Sequence, residues 1–335
     1  MKINLVGFGV MGRNHFRVLM KLKDHCELTA VCDIDERNRI EIEKYCNFYK
    51  DFEEMLDKEK PDALIIATPP QNNILLIRKA MKKGIKYFFV EKPLTTLDNI
   101  KEAEQLLEET TKNKVIVMVG EITCYDPATR ALKKNLDILG EIKTIFAIRS
   151  GKYPFRFTHV GVNEDLLTHD LSFARYLLNW QKFEIKNLIK ASLFREKQID
   201  FIAIDSLSEK KVRFIAISSW LTEEKIRLAT VLGEKAIAQV NFLDESRYVR
   251  ILPPRVIEEI RYGSIEEFRR IEKERYKLAQ EIELEDKEPL EIELMHFIDC
   301  IKKEEEPLTN ITRAVENLKI IEQTKFFVQN TPDNS

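Results

Sequence analysis

Residues 7–12, Gly7-Phe8-Gly9-Val10-Met11-Gly12, set three glycines within six positions of a chain that has ten in 335. Glycine used so sparingly marks places where a side chain would obstruct. In this spacing the first glycine makes a tight turn, the second lets backbone approach a pyrophosphate, and the third lets a helix pack close to a strand. Free N–H groups and the positive end of the following helix then hold the phosphates, with Phe8, Val10 and Met11 lining the loop. Asp33, at the end of a second β-run, is placed to accept both ribose hydroxyls and to repel a 2′-phosphate, which implies NAD rather than NADP. A helix-capping aspartate is the other reading of that residue. Two later β-runs end in Ala67-Thr68-Pro69, with Asn72 just beyond, and in Glu91-Lys92-Pro93. Carboxyl ends of parallel strands border one ligand site, and a lysine there faces its nicotinamide half. Pro93 favours an extended Lys92, although a solvated loop lysine would look the same. Asp165 and His169 stand four apart, so a helix presents both on one face, as it also does for ordinary surface pairs.

These residues need elements to hold them. Over the first 120 residues, β-runs at 2–6, 27–32, 48–49, 62–67, 86–90 and 115–119 alternate with helical patterns at 13–23, 36–45, 52–58, 74–83 and 99–111. Strands separated by single helices imply right-handed crossovers and a doubly wound parallel α/β sheet. The alternation stops near residue 120, which excludes an α/β barrel. Helical patterns follow at 127–136 and 166–178, with a β-run at 142–149. Consecutive β-runs at 183–193, 201–207, 212–218, 225–232, 236–242 and 248–252 then imply an α+β domain with a large, mostly antiparallel open sheet. A charged segment at 265–280 reads as a solvated helix. Helices at 290–303 and 313–328 close the chain. The expected domains are 1–120, binding the cofactor, and 121–335, binding substrate and mediating oligomerisation, with the closing helices packing back on the first.

Composition removes other classes. A hydrophobic fraction of 44% with 33% charged residues and a mean hydropathy of −0.30 suits a soluble globular chain with a sizeable core. No apolar run approaches the ~18 residues of a membrane span. The chain enters a strand at once, without a secretory leader, so a cytoplasmic location is expected. With 54 basic against 56 acidic side chains, bulk charge gives no grip on nucleic acid. Cys26, Cys32, Cys46, Cys124 and Cys300 form no CxxC pair, which argues against a disulfide framework and against a metal site of cysteines. His15, His25, His159 and His296 read as structural or exposed.

Taken together, the glycine loop followed by Arg13, Asp33, Ala67-Thr68-Pro69, Glu91-Lys92-Pro93, Asp165-Leu-Leu-Thr-His169-Asp170 and the C-terminal Met295-His-Phe-Ile-Asp-Cys-Ile301 resemble the Gfo/Idh/MocA family of sugar oxidoreductases. The resemblance implies a catalytic group of Lys92, Asp165 and His169. A histidine titrating near neutrality can take an alcohol proton as hydride leaves the carbon. Lys92 can disperse the developing alkoxide charge, and Asp165 can orient a hydroxyl or stabilise a charged His169. Within the family, the stretches 150–162 and 219–228 resemble UDP-N-acetylglucosamine 3-dehydrogenases. That likeness implies oxidation of a sugar 3-hydroxyl to a ketone, for a partner aminotransferase that makes amino sugars. Tyr153 and Arg156 become substrate contacts, with Arg156 first choice for a diphosphate and Arg149 and Lys152 behind it. A free-sugar or inositol dehydrogenase is the alternative; a nucleotide-sensing regulator is another, disfavoured by the intact catalytic set. The chain departs from the family pattern at Asn73, Glu121, Cys124 and Asp126. A homodimer or homotetramer is expected through an uncovered face of the second sheet, exposing residues such as Ile215, Ile217 and Trp220.

Overall fold

The computed structural model describes residues 1–154, 160–196, 198–253 and 264–326. Two compact units emerge: Met1–Tyr125 with Glu288–Lys319, and Asp126–Lys287 with Ile320–Ser335.

The first unit runs β1 (Lys2–Val6), α1 (Val10–Lys21), β2 (Glu27–Cys32), α2 (Arg39–Ile42), β3 (Asn47–Tyr49), α3 (Phe52–Glu59), β4 (Ala63–Ile66), α4 (Pro70–Lys82), β5 (Tyr87–Glu91), α5 (Ile100–Asn113), β6 (Ile116–Gly120) and α6 (Ile122–Tyr125). The six strands lie in the order β3-β2-β1-β4-β5-β6, and every pair is parallel. Strands buried on both faces are continuously apolar. Ala63 to Ile66 and Phe88 to Val90 are accordingly sealed from solvent. The strand order reverses between β1 and β4, and this switch fixes where a ligand can bind.

Two helices differ from the sequence expectation for local reasons. The helix expected at 36–45 breaks into a 3₁₀ turn, Glu36–Asn38, and the single turn of α2. Asp35 caps the first turn through Arg37 N, and Asn38 is drawn off the helix by Arg13 and Asp33. In contrast, α4 starts four residues before the expected 74, because Pro70 occupies the first helical position, where its missing N–H costs nothing.

The second unit contains α7 (Pro127–Lys134), β7 (Ile142–Ser150), α8 (Thr168–Leu177), β8 (Phe183–Ala191), β9 (Phe201–Ser208), β10 (Arg213–Ser219), β11 (Ile226–Gly233), β12 (Ile237–Asn241), β13 (Tyr248–Leu252), α9 (Ile265–Lys277) and the two-residue β14 (Gln280–Glu281). The order is β14-β13-β12-β11-β7-β10-β9-β8. All neighbours are antiparallel except β7 with β10. Alternation separates the faces. Ile145, Ala147, Phe214 and Ala216 are buried, while Phe146, Ile148, Ile215 and Ile217 on the same strands are half-buried. Trp220 departs from that expectation. By number it shares the face of the buried Phe214, Ala216 and Ser218 and not that of Ile215 and Ile217, and it is buried against Tyr153 with ring centroids 5.4 Å apart.

Of the closing helices, α10 (Pro289–Lys303) belongs to the first unit, and α11 (Ile311–Phe326) divides between the two at Lys319 and Ile320. No helix among the described residues is long and apolar enough to cross a membrane.

Candidate active site

The glycine loop divides into two structural positions and one open one. Gly7 has φ +92°, and a Cβ there would stand 2.5 Å from the Ala67 carbonyl oxygen. A Cβ on Gly12 would stand 2.0 Å from the Gly7 carbonyl oxygen. Both glycines let backbone pass backbone. Gly9 differs, because nothing lies within 4 Å of the place its Cβ would fill. It is the N-cap of α1, and no side chain caps that helix start. An open space before uncapped N–H groups at a helix N-terminus fits a pyrophosphate.

Around the loop, Phe8 is buried edge-on against Phe16 and lies under the Arg13 guanidinium. Val10 is exposed, and Met11 half-buried. The Phe8 N–H donates to Asp33 Oδ2 at 2.5 Å, while Asp35 N and Asn38 Nδ2 donate to Asp33 Oδ1 at 2.8 and 3.3 Å. Asp33 therefore fixes the loop as well as presenting a carboxylate at the end of β2. Nearby cations are held by acids, Arg13 by Glu41 and Arg37 by Asp35. The Arg37 hydrogen bonds hold the Asp35 carboxyl down at about 2.

Ala67 and Thr68 are half-buried, and Pro69 and Asn72 exposed, at the start of α4. Asn73 is fully buried and explains its own departure from the family pattern. Its Oδ1 accepts from Thr68 Oγ1 at 2.9 Å, and its Nδ2 donates to the carbonyls of Leu94 at 3.3 Å and Pro93 at 3.4 Å. One amide thus ties the loop after β4 to the loop after β5. The second loop carries Glu91, a half-buried Lys92 and a cis Lys92–Pro93 peptide bond. Cys124 and Asp126, two further departures, serve as scaffold. Cys124 is buried. Asp126 caps α7 through Ala128 N at 2.8 Å and pairs with Arg247 at 3.4 Å. Burial pushes its carboxyl up to about 6 against the pull of Arg247.

In the second unit, Asp165 falls in a π-helical turn, Asn163–Leu167, that leads directly into α8. Such turns are uncommon and recur at functional sites. Gly161 lets the turn close, since a Cβ there would meet Asn163 Oδ1 at 2.6 Å, and its carbonyl accepts from Asp165 N at 3.0 Å. Asp165 and His169 are half-buried, whereas Leu166, Leu167, Thr168 and Asp170 around them are buried. They therefore share the more open side of this segment.

Behind it lies a charged layer that the spacing of the sequence did not reveal. Arg149 Nε donates to Asp170 Oδ1 at 2.9 Å, with both side chains buried. Burial raises the Asp170 carboxyl, and Arg149 opposes the rise. Arg149 bonds Asp170 through Nε, while its buried Nη2 has no hydrogen-bond partner. Its cross-strand neighbour Arg227 donates to the carbonyls of Ser150 and Ile226. Burial and Arg149 lower the Arg227 guanidinium to about 10, while the charges of Asp170 and Asp165 resist. The sequence signal for Arg227 is an arginine at the same alternating positions as the buried Ala229 and Val231 of β11.

Tyr153 lies in a cavity of about 530 Å³ bordered by Lys152, Phe194, Arg195, Trp220 and Thr222. Its hydroxyl donates to Gln198 Oε1 at 2.6 Å. Lys152 pairs at the surface with Glu223. Arg156 and His159 lie outside the described residues. Among the described residues, no group of His, Cys, Asp or Glu could hold a metal ion.

A parallel sheet in this order, with an open glycine at the switch point and an acid at the end of β2, defines a dinucleotide-binding Rossmann fold. Residues 1–121 match the oxidoreductase family with an NAD-binding Rossmann fold, Gfo/Idh/MocA. An inositol 2-dehydrogenase/D-chiro-inositol 3-dehydrogenase of Lacticaseibacillus casei is 30% identical over 71% of this chain and 72% of that one. A scyllo-inositol 2-dehydrogenase (NAD(+)) of Bacillus subtilis is 34% identical, over 52% of this chain and 53% of its own length. Among solved structures, a UDP-N-acetylglucosamine 3-dehydrogenase of Acidithiobacillus ferrooxidans shares the fold with a TM-score of 0.80, at 19% identity over 96% of both chains. The chain belongs to the Gfo/Idh/MocA family, and NAD is its cofactor.

Proposed function

We propose that this chain is an NAD-dependent dehydrogenase of a ring hydroxyl, and that its substrate is a nucleotide sugar of the UDP-N-acetylglucosamine type, oxidised at the 3-hydroxyl to the ketone. The observation that carries the dehydrogenase reading is the placement of Asp165 and His169 together on the more open side of the π-to-α turn. A general base needs an imidazole that can reach substrate, with a carboxylate nearby to steady its charged form. In this reading the pyrophosphate lies at Gly9, Asp33 takes the adenosine ribose, and residues 67–69 with Asn72, Glu91 and Lys92 border the nicotinamide half. Bound NAD⁺ supplies the hydride acceptor. His169 receives the hydroxyl proton, Lys92 donates a hydrogen bond to the oxygen as it gains alkoxide character, and Asp165 orients or charge-balances His169.

The nucleotide-sugar reading draws on the sequence at 150–162 and 219–228 and on the Tyr153 cavity, where aromatic rings sit with Lys152 and Arg195. Aromatic faces and cations together suit a base and a diphosphate, and Arg156 is the proposed diphosphate contact. A second reading, a free inositol or sugar as substrate, is favoured by the inositol dehydrogenases among the relatives. Following 340 nm absorbance with NAD⁺ against UDP-N-acetylglucosamine, free sugars and inositols separates the two. Turnover on inositols alone would refute the nucleotide-sugar reading. An aminotransferase acting on the ketone and a cytoplasmic site of action complete the proposal. So does a homodimer or homotetramer closed over the half-exposed sheet face of Phe146, Ile148, Ile215, Ile217, Leu228 and Leu232.

A further inference from the structure

The carboxyl ends of β5 and β6 hold more acid than the roles above employ. Glu91 Oε1 pairs with His15 Nε2 at 2.6 Å; His15 is fully buried, and its Nδ1 has no hydrogen-bond partner. Gly120 is the cross-strand partner of Glu91. A Cβ on it would lie 3.5 Å from Glu91 Cδ, so the carboxyl rests along the end of β6. Glu121, the next residue, is 4% exposed and accepts from Asn317 Nδ2 of α11 at 3.3 Å. Glu293, on α10, is 1% exposed. It bonds to the backbone of Glu121, yet its Oε1 has no hydrogen-bond partner. Phe89 and Phe297, with centroids 5.8 Å apart, wall the space.

The titratable groups around Glu293 are Glu91 on β5, Glu121 after β6, His15 on α1, Tyr125 on α6, and His296 and Cys300 one and two turns along α10. The charges that act on Glu293 itself, Glu91 and Glu121, are both acidic, and with burial they raise its carboxyl well above the ordinary range. Ionising Glu293 beside two acidic neighbours in a low-dielectric space is opposed, which favours a proton on it.

This matters because β5 and β6 lie beyond the switch between β1 and β4, in the half of such sheets that takes the nicotinamide. The oxidised nicotinamide ring carries a positive charge, and the reduced ring carries none. We propose that Glu91, Glu121 and Glu293 form a charge-sensing cluster that gives up one proton when NAD⁺ binds and keeps it when NADH binds, so that these residues set the preference between the two forms. The inference rests on the cofactor and not on the substrate. In the step, one carboxyl O–H bond breaks and the proton passes to solvent; no electrons move, and NAD⁺ is unchanged. A nearby cation lowers the proton affinity of the cluster. Rising pH therefore favours NAD⁺, by up to about tenfold in affinity per pH unit while one proton is released, and leaves NADH unaffected.

Calorimetric titrations of the full chain with NAD⁺ and with NADH, across roughly pH 6 to 8 in buffers of different ionisation enthalpy, count the protons. The expected result is release approaching one proton for NAD⁺ and none for NADH, with the affinity ratio rising with pH. Glu293→Gln is expected to abolish most of the release and flatten that ratio, with NADH binding within about twofold of the original. Equal proton counts for the two forms in the unaltered chain overturn the proposal, whether or not the variant folds. Undiminished release in a folded Glu293→Gln protein overturns it as well.

Discussion

Alanine placed at each glycine of the loop should separate folding from cofactor binding. At Gly9 the backbone has φ −73° and the Cβ position is empty, so alanine fits without strain. Alanine is a poorer N-cap than glycine by about 0.5–1 kcal/mol, and the stiffer unfolded chain returns about 0.4–1 kcal/mol. The terms nearly cancel, and the melting temperature should stay within about 2 °C. The methyl group does occupy the space the pyrophosphate needs. Losing one hydrogen bond to a charged phosphate costs about 1.5–3 kcal/mol, so NAD⁺ should bind about 10- to 100-fold more weakly. Gly7→Ala should behave in the opposite way. A positive φ costs about 1–3 kcal/mol, and forcing a methyl 2.5 Å from the Ala67 oxygen adds an overpacking cost of about 1–3 kcal/mol. Gly12→Ala meets backbone closer still, at 2.0 Å. Both should melt lower by at least about 4 °C. Thermal unfolding without cofactor, paired with NAD⁺ titration, measures the two effects separately. A Gly9→Ala protein that binds NAD⁺ as tightly as the original would refute the assignment of that open space to the pyrophosphate.

Asp33 and the paired state of Arg13 and Arg37 should make NAD⁺ bind at least about tenfold tighter than NADP⁺, or about 1.4 kcal/mol; equal affinities by calorimetry would remove Asp33 from the ribose. His169→Ala and Lys92→Ala should each lower turnover by about 10²–10⁴-fold while NAD⁺ binding stays within a fewfold, and Asp165→Asn should cost less. Near-original turnover in both alanine variants would put catalysis elsewhere. Arg156→Ala should raise KM for a nucleotide sugar more than it lowers kcat. Light scattering at micromolar concentration should find a dimer or tetramer, and a monomer would count against the half-exposed sheet face as an interface.

Much of this architecture is legible because it rests on signals local in sequence. Continuous apolar runs mark strands buried on both sides, glycine marks close backbone contacts, and proline marks a helix start. The parallel sheet and its phosphate loop follow from these alone. Where reading by pattern misplaces an element, a side chain far along the chain is responsible. Residues 36–45 have helical periodicity, yet Arg13 and Asp33 draw Asn38 away and leave only short turns. Trp220, expected beside Ile215 and Ile217, belongs by its number with the buried Phe214, Ala216 and Ser218, and it packs against Tyr153.

The acidic cluster was hidden for a related reason. Glu91, Glu121 and Glu293 come from three distant segments, and a lone glutamate in sequence reads as solvated. One signal was nonetheless present. On α10, Leu290, Leu294, Phe297 and Ile301 mark a buried face, and Glu293 falls on it at helical spacing. An acid in the core stripe of an amphipathic helix must find either a cation or a proton. Here the charges acting on it are themselves acidic, which favours the proton. Asn73 follows the same logic on a smaller scale. A fully buried amide must use both of its ends, and by doing so it joins the loop of Thr68 to the loop of Lys92. The geometry of Lys92 is therefore set partly by a residue that touches none of the chemistry assigned to it.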